Sequence, residues 1–381
     1  MIPYGRQTIS EADVDAVCAV LRSDFLTQGP VVPRFEEALA ATCAARFAVA
    51  VNSATSALHI ACLALGVGPG DTVWTCTNTF LASANCASYC GAKVDFIDID
   101  PLSLNLSVTD LAARLEQAQR DGGLPKVLIP VHFAGQPCDM AAIAALARSY
   151  GVRVIEDASH AIGASYADGS PVGNCRYSDV TVFSFHPVKI MTTGEGGAAT
   201  TADAQLARSM QLLRSHGMTR DETEMSALSP SPWYYEQVSL GFNYRMTELQ
   251  AALGVSQLPQ VPGWIRRRHE LAAVYDEQLA RLPLVLPTRS PGSALHLYVV
   301  QIDAARTQLG RREVFDAMRS AGIGVNVHYI PVHTQPCYNE PKRSLPRSEF
   351  YYGRCISIPM YSALTASDQQ VVIDSLRGIF A

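Results

Sequence analysis

The chain has 381 residues, too many for one small core, so two domains are expected. It is 48% hydrophobic and 17% charged, with a mean hydropathy of +0.09, which excludes a disordered chain. The net charge is −5 and no basic run exceeds Arg266-Arg267-Arg268, a triplet that reads as a solvated helix face, so nucleic acid is not an expected partner.

No apolar run approaches the ~18 residues of a membrane span, and no basic stretch followed by an apolar core opens the chain. The ten cysteines lack Cys-x-x-Cys spacing. They read as free, largely buried thiols, and a cytoplasmic location is expected. Cys86 and Cys90 could share a helix face, but two ligands do not make a zinc site. In a strand, the odd spacing of His328 and His333 turns them apart. No metal is expected.

Ser10 is a plausible N-cap for a helix carrying Val14, Val17 and Leu21, broken by Leu26-Thr-Gln-Gly-Pro30. Phe47 to Val51 reads as a strand that feeds Asn52-Ser-Ala-Thr-Ser-Ala-Leu58, helical from Thr55. Small and hydroxyl residues at such a junction suit a phosphate at a helix N-terminus, or an ordinary helix cap. Asp71 to Cys76 and Lys93 to Ile99 read as strands flanking a helix from Phe80 to Cys90. Lys126 to Phe133 is the next strand, Cys138 to Tyr150 a helix, and Arg153 to Asp157 a strand ending in Asp-Ala-Ser-His160. A carboxylate there can cap the following turn.

Val180 to Phe185 is an apolar strand running into His186-Pro-Val-Lys189 and a glycine-rich turn. Strand ends are where a doubly wound sheet presents its chemistry, and an amine among apolar residues loses its charge readily. A lysine so placed can hold an aldehyde cofactor as a Schiff base. Asp203 to Arg214 is a helix, Thr219 to Ser239 a polar, then proline-rich and aromatic loop, and Gly241-Phe-Asn-Tyr-Arg-Met-Thr-Glu-Leu-Gln250 opens another helix. Alternating strands and helices imply a largely parallel sheet covered on both faces. Beyond residue 258 the pattern changes: helix 264–281, strand 295–302, helix 310–321, strand 323–330 and helix 367–379. The expected domains are therefore 1–258 and 259–381.

From Tyr4 to Pro359 the chain resembles the DegT-type nucleotide-sugar aminotransferases, pyridoxal-phosphate enzymes of the aspartate-aminotransferase fold (fold type I). The resemblance is strongest over Val182 to Gly197. It implies a large domain with a mostly parallel seven-stranded sheet and a smaller α+β C-terminal domain. It also implies that Lys189 is the cofactor lysine and that Asp157 holds the pyridine nitrogen protonated. Ala54, Thr55 and Ser184 would cradle the phosphate, Phe80 would stack on the ring, and His160 would lie near the ring hydroxyl. Asn243 would reach the phosphate end of a neighbouring subunit's site, implying a homodimer with shared sites. Tyr4, the turn Asp24, Phe25, Leu26, Thr27, and the stretch His328, Tyr329, Ile330, Pro331 would line the sugar-nucleotide pocket. The motifs Leu26-Thr-Gln-Gly29, His186-Pro-Val-Lys-Ile-Met-Thr-Thr193 and Arg214-Ser-His-Gly-Met218 resemble a subgroup that aminates a UDP-linked 4-keto-6-deoxy sugar, with glutamate as donor. Other nucleotide-linked keto sugars, a sugar dehydratase on the same scaffold and a non-catalytic regulator are the alternatives. Dehydratase relatives carry histidine where this chain has Lys189.

Overall fold

A computed structural model describes residues 1–226, 231–339 and 343–381; residues 227–230 of the loop expected over 219–239 lie outside it. Seven strands form the main sheet: β1 (Phe47–Val51), β2 (Thr72–Cys76), β3 (Lys93–Ile97), β4 (Val127–Ile129), β5 (Arg153–Asp157), β6 (Val180–Ser184) and β7 (Gly197–Thr201). Their order is β1-β7-β6-β5-β4-β2-β3. Strands β2 to β6 pair in parallel, whereas β7 is antiparallel to both β6 and β1. No helix separates β6 from β7 to carry the chain back across the sheet, so β7 returns antiparallel.

Helices α1 (Glu11–Leu21), α2 (Val31–Cys43), α3 (Ala54–Ala64), α4 (Ala82–Tyr89), α5 (Val108–Asp121), α6 (Met140–Ser149), α7 (Ala204–Arg214) and α8 (Glu248–Gln257) accompany this sheet. Successive strand residues face opposite ways. Ile155 and Val182 therefore pack with Leu58 and Ala61 of α3, while Val154 and Phe183 pack with Leu39 of α2 and Ile143 of α6. A short pair, β8 (Met218–Thr219) with β9 (Glu236–Gln237), follows α7.

The remaining strands β10 (Leu284–Val285), β11 (Tyr298–Ile302) and β12 (Cys355–Ile358) form a separate antiparallel sheet. With α9 (Val261–Leu279), α10 (Arg311–Ser320), α11 (Pro346–Tyr352) and α12 (Ala366–Ile379) they complete the chain. Leu271, Tyr275, Val300, Val314 and Ile373 centre a second core, onto which Ile2 also packs. Position 258 falls at the 3-10 turn Leu258–Gln260 that joins α8 to α9.

Several elements differ from expectation. The stretch 323–330 is not a strand; only Ile323 and Asn326 make isolated bridges. Asn326 exchanges backbone bonds with Ser357, and further along side chains take over: Tyr351 Oη donates to the His328 carbonyl, and Tyr329 N–H donates to Asn78 Oδ1. The strand beside β11 is β12. Strand β4 stops at Ile129 because Pro130 cannot donate to a ladder. Arg268 is buried at 2% exposure and not on a solvated face, while Arg266 is exposed. All ten cysteines are free and eight are buried.

Helix α2 begins after Pro30 with no side-chain cap of its own. The fully buried carboxylate of Glu248, in the first turn of α8, accepts from Val31 N–H at 2.6 Å and Val32 N–H at 3.2 Å. A negative group there satisfies orphan donors and suits the helix dipole. Glu248 N–H also donates to the Leu26 carbonyl, at 3.0 Å. The turn of residues 24–29 is thereby fastened to α8.

Candidate active site

A cavity of about 870 Å³ opens at the carboxyl ends of the main-sheet strands, where open α/β sheets place ligands. The two-residue period of the strands sets what faces it. Asp157 shares a face with Ile155, and Ser184 with Val182, so both point to the α3 side where their strands end.

Asp157 is 4% exposed. Its Oδ2 accepts from Ser83 Oγ at 2.6 Å, and its Oδ1 accepts from Ser159 N–H at 3.1 Å. Ser83 is itself within 2.7 Å of Thr79 Oγ1. The carboxylate is thus fixed in orientation at the cavity wall.

On the opposite side of β6, residues 185–196 form a pinned turn. Phe185 N–H donates to the Gly196 carbonyl, Thr193 N–H to the Phe185 carbonyl, and Lys189 N–H to the His186 carbonyl. Thr192 Oγ1 also donates to the Phe185 carbonyl, at 2.9 Å. Lys189 lines the cavity from this turn. Burial holds its pKa down from 10.5 to about 8, against the opposing pull of the Asp157 carboxylate. Its amine is therefore partly uncharged near neutral pH.

Ser53 caps α3, accepting from Ser56 N–H at 3.1 Å, and Ser56 Oγ in turn donates to Asn52 Oδ1 at 2.6 Å. The Ala54 and Thr55 N–H groups are first-turn donors at the cavity edge. At Gly197 a Cβ would lie 2.4 Å from Ala54 N, so glycine allows β7 to start against this junction. A donor-lined helix end, a low-pKa amine and an anchored carboxylate share one cavity. These residues fit a phosphorylated pyridine aldehyde: Ala54, Thr55 and Ser184 would hold the phosphate, Asp157 the ring nitrogen and Lys189 the aldehyde carbon.

The far wall holds Tyr4, His160, His296, Asn326, His328 and Tyr329. His160 Nδ1 accepts from Ala134 N–H at 3.2 Å, which places the ring proton on Nε2. Nε2 then donates to Tyr329 Oη at 3.0 Å, leaving the phenol hydrogen free for another acceptor. Both nitrogens of His160 are thus engaged, so a bond to a ring hydroxyl would require Tyr329 to release Nε2. Burial, then Lys189 and His328, press the His160 pKa well below the ordinary value. His328 meets Ser357 Oγ at 2.7 Å and falls to about 3 by burial and the nearby Lys189. These imidazoles are neutral at physiological pH.

Phe80 lines the cavity and is 59% exposed, its ring 6.3 Å from that of Tyr329. Asp24, Phe25, Leu26, Thr27, Ile330, Pro331 and Asn243 do not line this cavity. Of these, Asp24 to Thr27, Ile330 and Asn243 are exposed. The sequence reading did not single out Asn52, Thr79, Ser83, Ser159 or His296. Ser83 lies four residues beyond Thr79, a hydroxyl pair whose carboxylate partner is evident only in the fold; His296, inside an apolar run, offers no such pattern.

The DegT/DnrJ/EryC1/StrS aminotransferase family description matches residues 7–377. The chain belongs to this family of pyridoxal-phosphate-dependent aminotransferases. It is 38% identical over 386 residues to the spore coat polysaccharide biosynthesis protein SpsC of Bacillus subtilis, covering 99% of this chain and 97% of SpsC. Its structure is similar to Helicobacter pylori PseC, an aminotransferase involved in pseudaminic acid biosynthesis, with TM-score 0.90, 29% identity and coverage of 100% and 99%. The pyridoxal-phosphate form of the sugar aminotransferase Spr1654 of Streptococcus pneumoniae aligns with TM-score 0.87 and 26% identity, covering 99% and 98%.

Proposed function

We propose that this aminotransferase moves an amino group from glutamate to a UDP-linked 4-keto-6-deoxy sugar, giving UDP-4-amino-4,6-dideoxy-N-acetyl-β-L-altrosamine for pseudaminic acid biosynthesis. The observation that carries the chemistry is the cavity shared by Lys189 and Asp157. Likeness to PseC over the whole chain supports the choice of sugar. Free, buried thiols suit a reducing compartment, the cytoplasm.

Bound in this cavity, pyridoxal phosphate supplies an electron-withdrawing ring that stabilises negative charge next to the reacting carbon. Lys189 is the residue whose amine would hold the cofactor's aldehyde carbon. With its pKa held down to about 8, the same amine would serve as the base that takes the proton from the donor's Cα and as the acid that returns it. Asp157, fixed by Ser83 and the Ser159 N–H, keeps a proton on the pyridine nitrogen. The second half-reaction, with the keto sugar, uses the same groups in reverse.

Asn243 and the turn 24–27 are exposed and lie outside their own cavity, and Phe25, Leu26 and Leu240 are exposed apolar residues nearby in sequence. A homodimer in which they serve the partner's site accounts for both facts. A second reading is amination of a dTDP- or GDP-linked keto sugar; the higher identity to SpsC, a spore coat polysaccharide biosynthesis protein, leaves room for a product other than the pseudaminic acid precursor. Incubation with glutamate and UDP-, dTDP- and GDP-4-keto sugars, followed by mass spectrometry, decides between them. An amino sugar made only from the dTDP or GDP substrates supports the second reading, and a 3-deoxy product overturns both.

A further inference from the structure

His296 sits in the far wall of the cavity at 3% exposure, and its Nδ1 is enclosed without a hydrogen-bond partner among the described residues. An unpaired buried polar atom is destabilising. The structure nonetheless holds the backbone that carries this ring from several sides. Leu295, just before it, adopts φ 48°, a left-handed conformation that a leucine rarely takes. The Arg268 guanidinium, itself buried, donates through one nitrogen to the carbonyls of Leu295 (3.3 Å), His296 (3.1 Å) and Met360 (2.9 Å). From the other side, His296 N–H donates to the Ala134 carbonyl at 2.8 Å. At Gly135 (φ 89°) a Cβ would lie 2.9 Å from Leu295 N and 3.0 Å from His296 N, so only glycine lets this segment pass.

The imidazole is 4.4 Å from that of His160, centroid to centroid. Burial, then His160, Lys189, Arg268 and His328, keep its pKa well below the ordinary value. Burial above all, with Arg268 and Lys189 nearby, disfavours a charge here, so the ring is a neutral hydrogen-bonding group. A carboxylate calls for a cation; a neutral imidazole suits a hydroxyl or amide.

Resting on the nucleotide-sugar reading above, we propose that His296 is a substrate-reading residue: its imidazole, which lines the cavity, hydrogen-bonds an uncharged polar group, hydroxyl or acetamido, of the sugar. Arg268 is the positioning residue that fixes the strained backbone from which it projects.

The test uses the apoenzyme, so cofactor chemistry does not enter. Titration calorimetry with UDP-N-acetylglucosamine, and with UDP as the control, is run on wild type, His296→Phe and His296→Gln. Phe should weaken the sugar nucleotide about tenfold and leave UDP within about twofold, while Gln should recover part of the loss. In steady state the same loss should fall on KM for the keto sugar more than on kcat. Thermal midpoints of the three proteins separate lost contacts from lost folding. Equal binding of the sugar nucleotide by wild type and His296→Phe, or parallel weakening of UDP, overturns the role of His296 alone. If wild type binds neither ligand, the UDP-sugar reading falls, and this inference with it.

Discussion

The wall that carries Asp157, Ser184 and Lys189 is made of strand ends and one pinned turn. The wall that carries Tyr4, His296, His328 and Tyr329 is made of irregular chain. On the first wall a side chain's direction follows from the two-residue period, and its neighbours are nearby strands. On the second, direction is enforced by contacts distant in sequence: Tyr329 with Asn78 and His160, His328 with Ser357, His296 with Ala134 and Arg268. The regular wall suits chemistry shared by all substrates. The irregular one can be altered one contact at a time, which suits recognition.

If the strand-end wall carries the chemistry, removing its amine should do the most harm. Lys189→Ala should lower turnover by at least about 10⁴-fold, measured in single-turnover assays with glutamate. Borohydride reduction of wild type loaded with pyridoxal phosphate should label Lys189 in peptide mass spectra; label on another lysine breaks the comparison. Asp157→Asn should retain the cofactor but lose about 10³-fold in turnover, and near-normal rates would remove its assigned role.

The far wall should respond through stability and binding instead. Arg268→Met should cost about 3 kcal/mol by denaturant titration, because three buried carbonyls lose a charged donor. A loss under about 0.5 kcal/mol would mean the strained segment holds itself. The subtlest effect concerns protonation. The folded-state pKa of Lys189 is about 8, below its ordinary 10.5, so the nucleophilic amine accumulates as pH rises through 8. Capture of pyridoxal phosphate by the apoenzyme, followed by absorbance, should therefore speed up with pH and level off above about 8. A plateau delayed to about pH 10 would mean the amine is not desolvated.

The same contrast explains what could be read from the chain. The strands leading to Asp157 and Ser184 were legible because apolar residues filled them and turn residues closed them. Strand β7, Gly-Ala-Ala-Thr-Thr, has small residues and no alternation, so it was not read as a strand. Helix α2 escaped because the break at Leu26 to Pro30 drew attention while its start relies on Glu248, some 217 residues away. The stretch 323–330 looked like a strand because Ile323, Val325 and Val327 alternate, yet its backbone bonds are split between Ile2, Ser357 and the side chains of Asn78, Asn326 and Tyr351, with no continuous ladder. Arg268 looked solvated because a run of three arginines does not reveal which one points inward. The proposed catalytic pair, Lys189 and Asp157, rests on resemblance to a family; Ser83 and His296 depend on contacts that appear only after folding.

The carboxylate of Glu248 leaves one further mark. By holding the first amides of α2 and, through its own amide, the Leu26 carbonyl, it couples the turn at 24–29 to the segment that begins with Gly241. Two stretches more than two hundred residues apart therefore travel as one piece. A mutation that loosens either would be felt in both, and any neighbouring molecule that docks on one meets the other already in position.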